Sequence, residues 1–230
     1  MPEEGKGIAL RAGVNRTFNE DCDFSKKICP PERLLATNLA GTMSDSADIL
    51  CERAKKGDIT AASELATLFY QRIFAYLRRL SGNDEDAADL TQKTFARTWQ
   101  ALGSYQKRSS FSTWLHGIAH HVYLDWRRKR SMGDAQTDEW WEAQSDHSPT
   151  PFETTAEREL AHQLYRWVDE LDEEKKQTVH LHYYQNLTLN ETAEVLGVAA
   201  STIKYRLREA LVFLRKRSVE MEARTERRVV

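Results

Sequence analysis

Only three cysteines occur in 230 residues, at positions 22, 29 and 51. An odd number at irregular spacing supports neither a disulfide framework nor a four-ligand zinc site, and it fits a reducing cytoplasm. Long apolar runs are missing as well. No stretch approaches the roughly 18 residues of a membrane span, and the N-terminus has no apolar segment of the signal-peptide kind, so a soluble chain without membrane insertion is expected. A glycine-rich phosphate loop, a nucleophile elbow and a pair of positioned carboxylates are absent too. The near miss is His116-Gly117-Ile118-Ala119-His120. There Gly117 stands where a zinc protease needs its general-base glutamate, and no third ligand follows. A non-enzymatic chain with no metal and no cofactor is expected. Strand-like alternation and internal repeats are also lacking, which leaves an all-α fold.

What is present is segregated charge. The net charge of −2 hides fourteen Lys/Arg against nine Asp/Glu over 46–130 and seven acids with no Lys or Arg over 131–157. Over 195–217 there are six bases and one acid, Glu209. Two basic blocks flanking an acidic one suit two nucleic-acid contacts joined by a segment that something else must hold. Solvated helix faces and a solubilising linker are the plainer reading of the same numbers.

Residues 1–45 mix Gly, Pro, Asn and charges without a period, and are expected to hold little fixed structure. A biological start at Met43 is a reading that the mass of the natural N-terminal peptide tests. Four helices then follow. The spacing predicts Ala47–Lys56 ending at Gly57, and Ile59–Leu80 ending at Ser81-Gly82. Leu65, Leu68, Phe69, Ile73, Phe74 or Tyr76, Leu77 and Leu80 form the apolar face of the second. Asp84, Glu85 and Asp86 begin a third helix that runs to Leu102 and stops at Gly103, with Ala88, Thr91, Phe95, Trp99 and Leu102 as its stripe. The fourth, Ser112–Arg130, turns Leu115, Ile118, Val122 and Trp126 inward. A flexible acidic linker over 131–154 carries Pro149 and Pro151, and helices resume near Thr155. The chain therefore reads as two small helical domains, 46–130 and 155–217, with a tail over 218–230.

In 187–211 a short helix ends at Gly197 and a second begins near Ala199 or Ala200, which is helix-turn-helix punctuation. Ala193 allows close approach of the second helix, and Val195, Leu196, Val198, Ile203 and Leu207 fill the junction. At about 100° per residue, Ile203, Leu207, Ala210, Leu211 and Leu214 share one arc, while Ser201, Lys204, Tyr205 and Arg208 gather opposite. Such a face fits a DNA major groove.

The stretch DAADLTQKTFARTWQAL at 86–102, followed by FSTWLHGIAHHVYLDWRRKR at 111–130, resembles the extracytoplasmic-function sigma factors of bacterial RNA polymerase. The C-terminal helix-turn-helix resembles the region 4 of that family, and the likeness covers about 48–217. The resemblance implies a transcription initiation subunit that directs core polymerase to promoters. Its first domain, like region 2, would dock on the β′ clamp helices and open the −10 element, and its second would hold the −35 element.

By position, Asp89, Gln92, Lys93, Arg97 and Gln100 are then the polymerase-binding candidates, with Phe95 and Trp99 anchoring the core. Tyr105, Lys107, Arg108, Phe111, Trp114, His120, His121, Arg127, Arg128 and Arg130 are the candidates for −10 contact and melting. Ser201, Thr202, Lys204, Tyr205, Arg206 and Arg208 are those for the −35 element. Unstacked bases would be recovered by aromatic and cationic side chains. The acidic linker, with Trp140 and Trp141, would thread a polymerase channel and in the free protein would compete with DNA. An anti-sigma factor is a further partner class. Three features depart from the family pattern: His120-His121 replaces an Arg-Asn, Asp172 stands where proline is common, and Glu209 where a base is frequent. A helix-turn-helix regulator that binds an operator without polymerase is the alternative reading.

Overall fold

The computed structural model describes residues 46–133 and 163–229, and every regular element among them is helical. The N-terminal segment with Met43, Cys22 and Cys29, the linker from Asp134 with Trp140 and Trp141, and the helix start near Thr155 lie outside the described residues.

The first lobe holds four helices. Helix α1 (46–55) ends at Gly57, whose φ of 89° is open to glycine at little cost. Asp58 then caps α2 (Ile59–Ser81) by accepting from the Ala61 N–H at 3.1 Å. Helix α2 buries Leu65, Phe69, Ile73, Tyr76, Leu77 and Leu80 and stops at left-handed Gly82. Asn83 caps α3 (Asp84–Ala101), and Asp84, Glu85 and Asp86 sit at its positive end.

The stripe of α3 is rotated from the expected one. Ala88 is exposed, while Ala87, Leu90, Thr91, Thr94, Phe95 and Thr98 are buried. Three buried threonines are tolerated because each hydroxyl donates to the carbonyl four residues back, at 2.7 to 2.8 Å. Trp99, expected in the core, is only half-buried. The chain then tightens into a 3₁₀ turn, Leu102–Ser104, and Gly103 does not adopt a left-handed conformation. Helix α4 (Phe111–Gly133) closes the lobe.

The second lobe begins with α5 (163–169). Asp172 caps α6 (Glu173–Val179) through the Lys175 N–H at 3.0 Å, so the position where the family favours proline starts the helix by a side-chain acceptor instead. The backbone widens into a π turn over His180–Tyr184. Thr188 and Glu191 form a capping box on α7 (Leu189–Leu196). Gly197, at φ 65°, reverses the chain, and α8 (Ala200–Val229) follows as one helix that runs on through the expected tail. Trp167, Val168, Val179, Tyr183, Ala193, Ile203, Leu207, Ala210 and Leu214 form this lobe's core.

The lobes are packed together. Helix α4 lies against α7, and Leu181, Leu187 and Val195 join the apolar cluster of the first lobe.

Candidate nucleic-acid interface

On α8, Ser201, Lys204, Tyr205 and Arg208 are exposed, and 62% of Tyr205 is accessible. The opposite side, Ile203, Leu207, Ala210 and Leu214, is buried against α6 and α7. This presents a flat polar and cationic strip held rigid from behind. Thr202 is half-buried. Arg206 differs from its expected place: its guanidinium pairs with Glu174 of α6, and its side chain is 15% exposed. It braces the helix and is turned from the strip.

On α3, Asp89, Gln92, Lys93, Arg97 and Gln100 are all exposed and fall on one face at helical spacing. Lys93 pairs with Asp89, and Arg97 reaches Asp125 of α4 at 2.9 Å. The pairing ties Lys93 along its own helix and Arg97 across to α4. Because both partners remain about half-exposed, it adds little to stability.

The loop between α3 and α4 and the body of α4 separate the expected contacts into two groups. Lys107 and Arg108 are exposed, and Lys107 holds φ 56°, an uncommon backbone state for a side-chain-bearing residue. The loop is tied down by Lys107 to Glu52 at 3.2 Å, by the Lys55 ammonium donating to the Tyr105 carbonyl at 2.7 Å, and by the Tyr105 hydroxyl donating to the Ser109 carbonyl at 2.8 Å. Arg127, Arg128 and Arg130 are exposed at the end of α4. Arg127 and Arg130 lie 5.8 and 5.2 Å from the rings of Tyr123 and Trp126.

Tyr105, Phe111 and His120, by contrast, are interior. Tyr105 and Phe111 are 4% and 2% exposed and pack edge to face at 5.7 Å, with Phe69 behind Phe111 at 5.3 Å. Burial pushes the Tyr105 hydroxyl up to about 12. These rings fill the gap between loop and helices and anchor the loop, where the sequence pattern places them as base-capture groups. Trp114, half-buried beside Tyr105 at 4.9 Å, is the aromatic of this set with an accessible edge. His120 shares a hydrogen bond with the Tyr76 hydroxyl at 3.1 Å, while His121 is exposed. Burial lowers the His120 pKa to about 4, with His121 and Arg127 acting in the same direction, so it is a neutral core group near pH 7.

Among the described residues no group of three His, Cys, Asp or Glu is placed to hold a metal ion, and no helix is long and apolar enough to cross a membrane. Sequence reasoning did not find Arg72, Tyr123, Glu173, Gln185 and Glu191, which join the lobes. A Thr three residues before a Glu, as at 188 and 191, is the local pattern of a capping box, but nothing local marks a residue that also reaches the other lobe.

The sequence profile of sigma-70 region 2 matches residues 65–132, and that of sigma-70 region 4 matches 167–216. The RNA polymerase sigma factor YlaC of Bacillus subtilis (strain 168) is 29% identical over 171 residues, spanning 72% of this chain and 95% of that protein. The ECF RNA polymerase sigma factor SigW of the same organism is 25% identical over 174 residues, 72% of this chain and 92% of the relative. In fold, the chain is similar to the sigma factor RpoE crystallised with the anti-sigma factor NepR from Bartonella quintana. The TM-score is 0.56 at 20% identity, over 67% of this chain and 94% of that one. With both regions matched in order, each on its own helical lobe, the chain belongs to the extracytoplasmic-function sigma factors of bacterial RNA polymerase.

Proposed function

We propose that the three surfaces divide the work of a sigma factor between them. The exposed strip Ser201, Lys204, Tyr205 and Arg208 reads the −35 element in the major groove. Lys107, Arg108, the edge of Trp114, His121, Arg127, Arg128 and Arg130 engage the −10 element and its separated strand. The face Asp89, Gln92, Lys93, Arg97 and Gln100 docks on the β′ clamp helices of core polymerase. The observation that carries this reading is the strip on α8, which is cationic, exposed and rigidly backed behind a tight helix-turn-helix. Cations there meet phosphates and guanine edges, while Ser and Tyr supply hydrogen bonds and packing.

The role is regulatory rather than catalytic. Its place is the cytoplasm, where core polymerase works, and the proposal includes an anti-sigma factor as a partner. The test is run-off transcription by core polymerase with and without this protein across promoters of the source genome. Transcripts that depend on the protein, and whose −35 preference changes with substitutions in the strip, are the expected result. Tight operator binding by the isolated chain, with no polymerase-dependent transcript, would replace the reading with a conventional repressor or activator.

A further inference from the structure

Helix α1 carries none of the proposed contacts, yet it grips the loop that does. The Tyr105 carbonyl is satisfied from outside its own loop, by the Lys55 ammonium fifty residues earlier at 2.7 Å. The Lys55 side chain is only 20% exposed, and its ammonium also stands 5.2 Å from the centre of the Tyr105 ring. That ammonium lies 3.4 Å from Glu52, one turn back on α1, and the same carboxylate takes the Lys107 ammonium at 3.2 Å. Lys107 first, and Lys55 after it, hold the Glu52 carboxyl below its ordinary value, so the link is an ionised one.

The tether acts on a backbone that its neighbours must hold in shape. Lys107 sits at φ 56°, a left-handed state that is costly for a side-chain-bearing residue and persists where the surroundings over-determine it. Both ends of the loop are fixed. At its start the Tyr105 N–H donates to the Leu102 carbonyl at 3.2 Å. At its end Ser110 accepts from the Thr113 N–H at 3.2 Å, and the Ser110 and Thr113 hydroxyls donate to Glu191 of α7 at 3.1 and 2.8 Å. Between those ends, the contact with Glu52 falls on the left-handed residue itself.

Helix α1 is a firm base for such a tether. Ala47 and Cys51, 2% and 0% exposed, lock it into the first lobe's core, and Arg53 pairs with Asp58 at 2.6 Å beyond its end. The ion pairs of Glu52 are partly exposed and add little to stability, while the buried rings of Tyr105 and Phe111 keep the loop attached without them. What the tether adds is a fixed backbone beside Lys107 and Arg108. A loop arranged in advance captures an unstacked base without an ordering cost at that moment.

We propose that Lys55 and Glu52 are positioning residues for strand opening, acting through Tyr105 and Lys107 to hold the 105–108 backbone in the shape that captures the −10 strand. This inference rests on the assignment of that loop to the −10 element.

The experiment uses holoenzyme formed from core polymerase and the full chain, on a promoter found by the run-off assay. Permanganate oxidation of unpaired thymines reports opening of the duplex. Run-off yield is compared on the duplex and on a template mismatched over the −10 element, where the strands are already apart. Lys55→Met keeps the aliphatic stem and removes the ammonium. It is expected to slow opening of the duplex about tenfold and to lower yield on the mismatched template by less than about twofold. Lys55→Arg, which keeps a cationic donor, is expected to restore most of the opening rate. Lys56→Met removes the same charge from an exposed neighbour and is expected to leave opening unchanged. Glu52→Gln is expected to slow opening about threefold, and to do nothing further in a Lys107→Met background, because it acts through that ammonium.

Opening by Lys55→Met at the wild-type rate would overturn the proposal. So would an equal loss on both templates, an equal loss in Lys56→Met, a Lys55→Arg protein as slow as Lys55→Met, or a full Glu52→Gln effect in the Lys107→Met background. Should circular dichroism show Lys55→Met unfolded, the Glu52→Gln and Lys107→Met cycle decides by the same criterion. Lys107→Ala with Arg108→Ala separates the two levels of the argument. Normal opening in that double variant overturns the loop's assignment and this inference with it. Slow opening there, beside normal opening in Lys55→Met, overturns the inference alone.

Discussion

Arg208 and Lys216 are both exposed cations on α8, eight residues apart, and the proposed function gives them different work. Arg208 sits on the strip with Lys204 and Tyr205, whereas Lys216 lies beyond it. Arg208→Ala is expected to cost roughly 1 to 3 kcal/mol of promoter binding and to relax preference at one or two −35 base pairs. Lys216→Ala is expected to weaken binding evenly across sequences and to lower the salt slope by at most about one. Transcription from a panel of −35 variants distinguishes the two; unchanged base preference in Arg208→Ala would remove that residue from the reading set. Leu207, 6% exposed behind the strip, fails differently: Leu207→Ala is expected to cost about 2 to 5 kcal/mol of folding stability by thermal or urea unfolding. The strip was legible from helical projection alone, because 100° per residue puts 201, 204, 205 and 208 together whatever surrounds them. Arg206 was not, since its direction is set by Glu174 on another helix. The burial of Tyr105 and Phe111 is hidden for a related cause, as an aromatic at the end of a loop looks the same in sequence whether it faces a base or plugs the lobe.

At the scale of elements, the turn of the helix-turn-helix depends on one backbone state. Gly197 holds φ 65°, and a methyl group built there would meet nothing within 4 Å. Gly197→Ala therefore tests conformational strain without steric clash, and is expected to lower stability by about 1 kcal/mol. A matching drop in the unfolding midpoint checks it, and an unchanged midpoint would mean that the turn relaxes to another geometry. On α3 the exposed face gives a second test. Arg97→Glu breaks only a half-exposed pair with Asp125, worth about 0 to 1 kcal/mol, so helicity should survive while co-purification with core polymerase falls. Retention of core binding by the folded variant would move the clamp contact to another face. Helix limits were largely readable, because Gly57, Gly82 and Gly197 are local stop signals, and each holds a positive φ. The rotation of α3 that buries Leu90 and exposes Ala88 was not readable, since small residues and threonines carry weak pattern and tertiary packing decides which of them turns inward.

For the whole molecule, three buried histidines predict acid sensitivity above the carboxylate range. Burial lowers His116 and His120 to about 4 and His180 to about 3. Arg72 acts in the same direction on His116, with Glu191 and Gln185 opposing. His121 and Arg127 reinforce the shift in His120, and Arg79 and Lys176 that in His180. The folded values lie below the ordinary 6.5, so the unfolded chain binds more protons as pH falls. Stability is complete above about 6.5 and declines through 4 for His116 and His120, and through 3 for His180. Between pH 7.5 and pH 5 each neutral histidine is expected to cost about 2 kcal/mol, before most carboxylates titrate. Urea unfolding at the two pH values measures the loss. A midpoint that stays level down to pH 5 would mean that these rings are accessible to solvent.

The sequence by itself determined the helices, their order, the two lobes and the polar strip of α8, because each follows from spacing and capping within a few residues. Charge segregation likewise pointed to nucleic acid from composition along the chain. Only the tertiary structure decided that the lobes close on each other, that Glu191 serves a cap and a seam at once, and that Tyr105, Phe111 and His120 lie inside. Those outcomes depend on residues 44 to 113 positions apart meeting in space, as Tyr76 meets His120 and Arg72 meets Gln185. The free energy of such contacts comes from shared burial and paired hydrogen bonds, which no local pattern encodes.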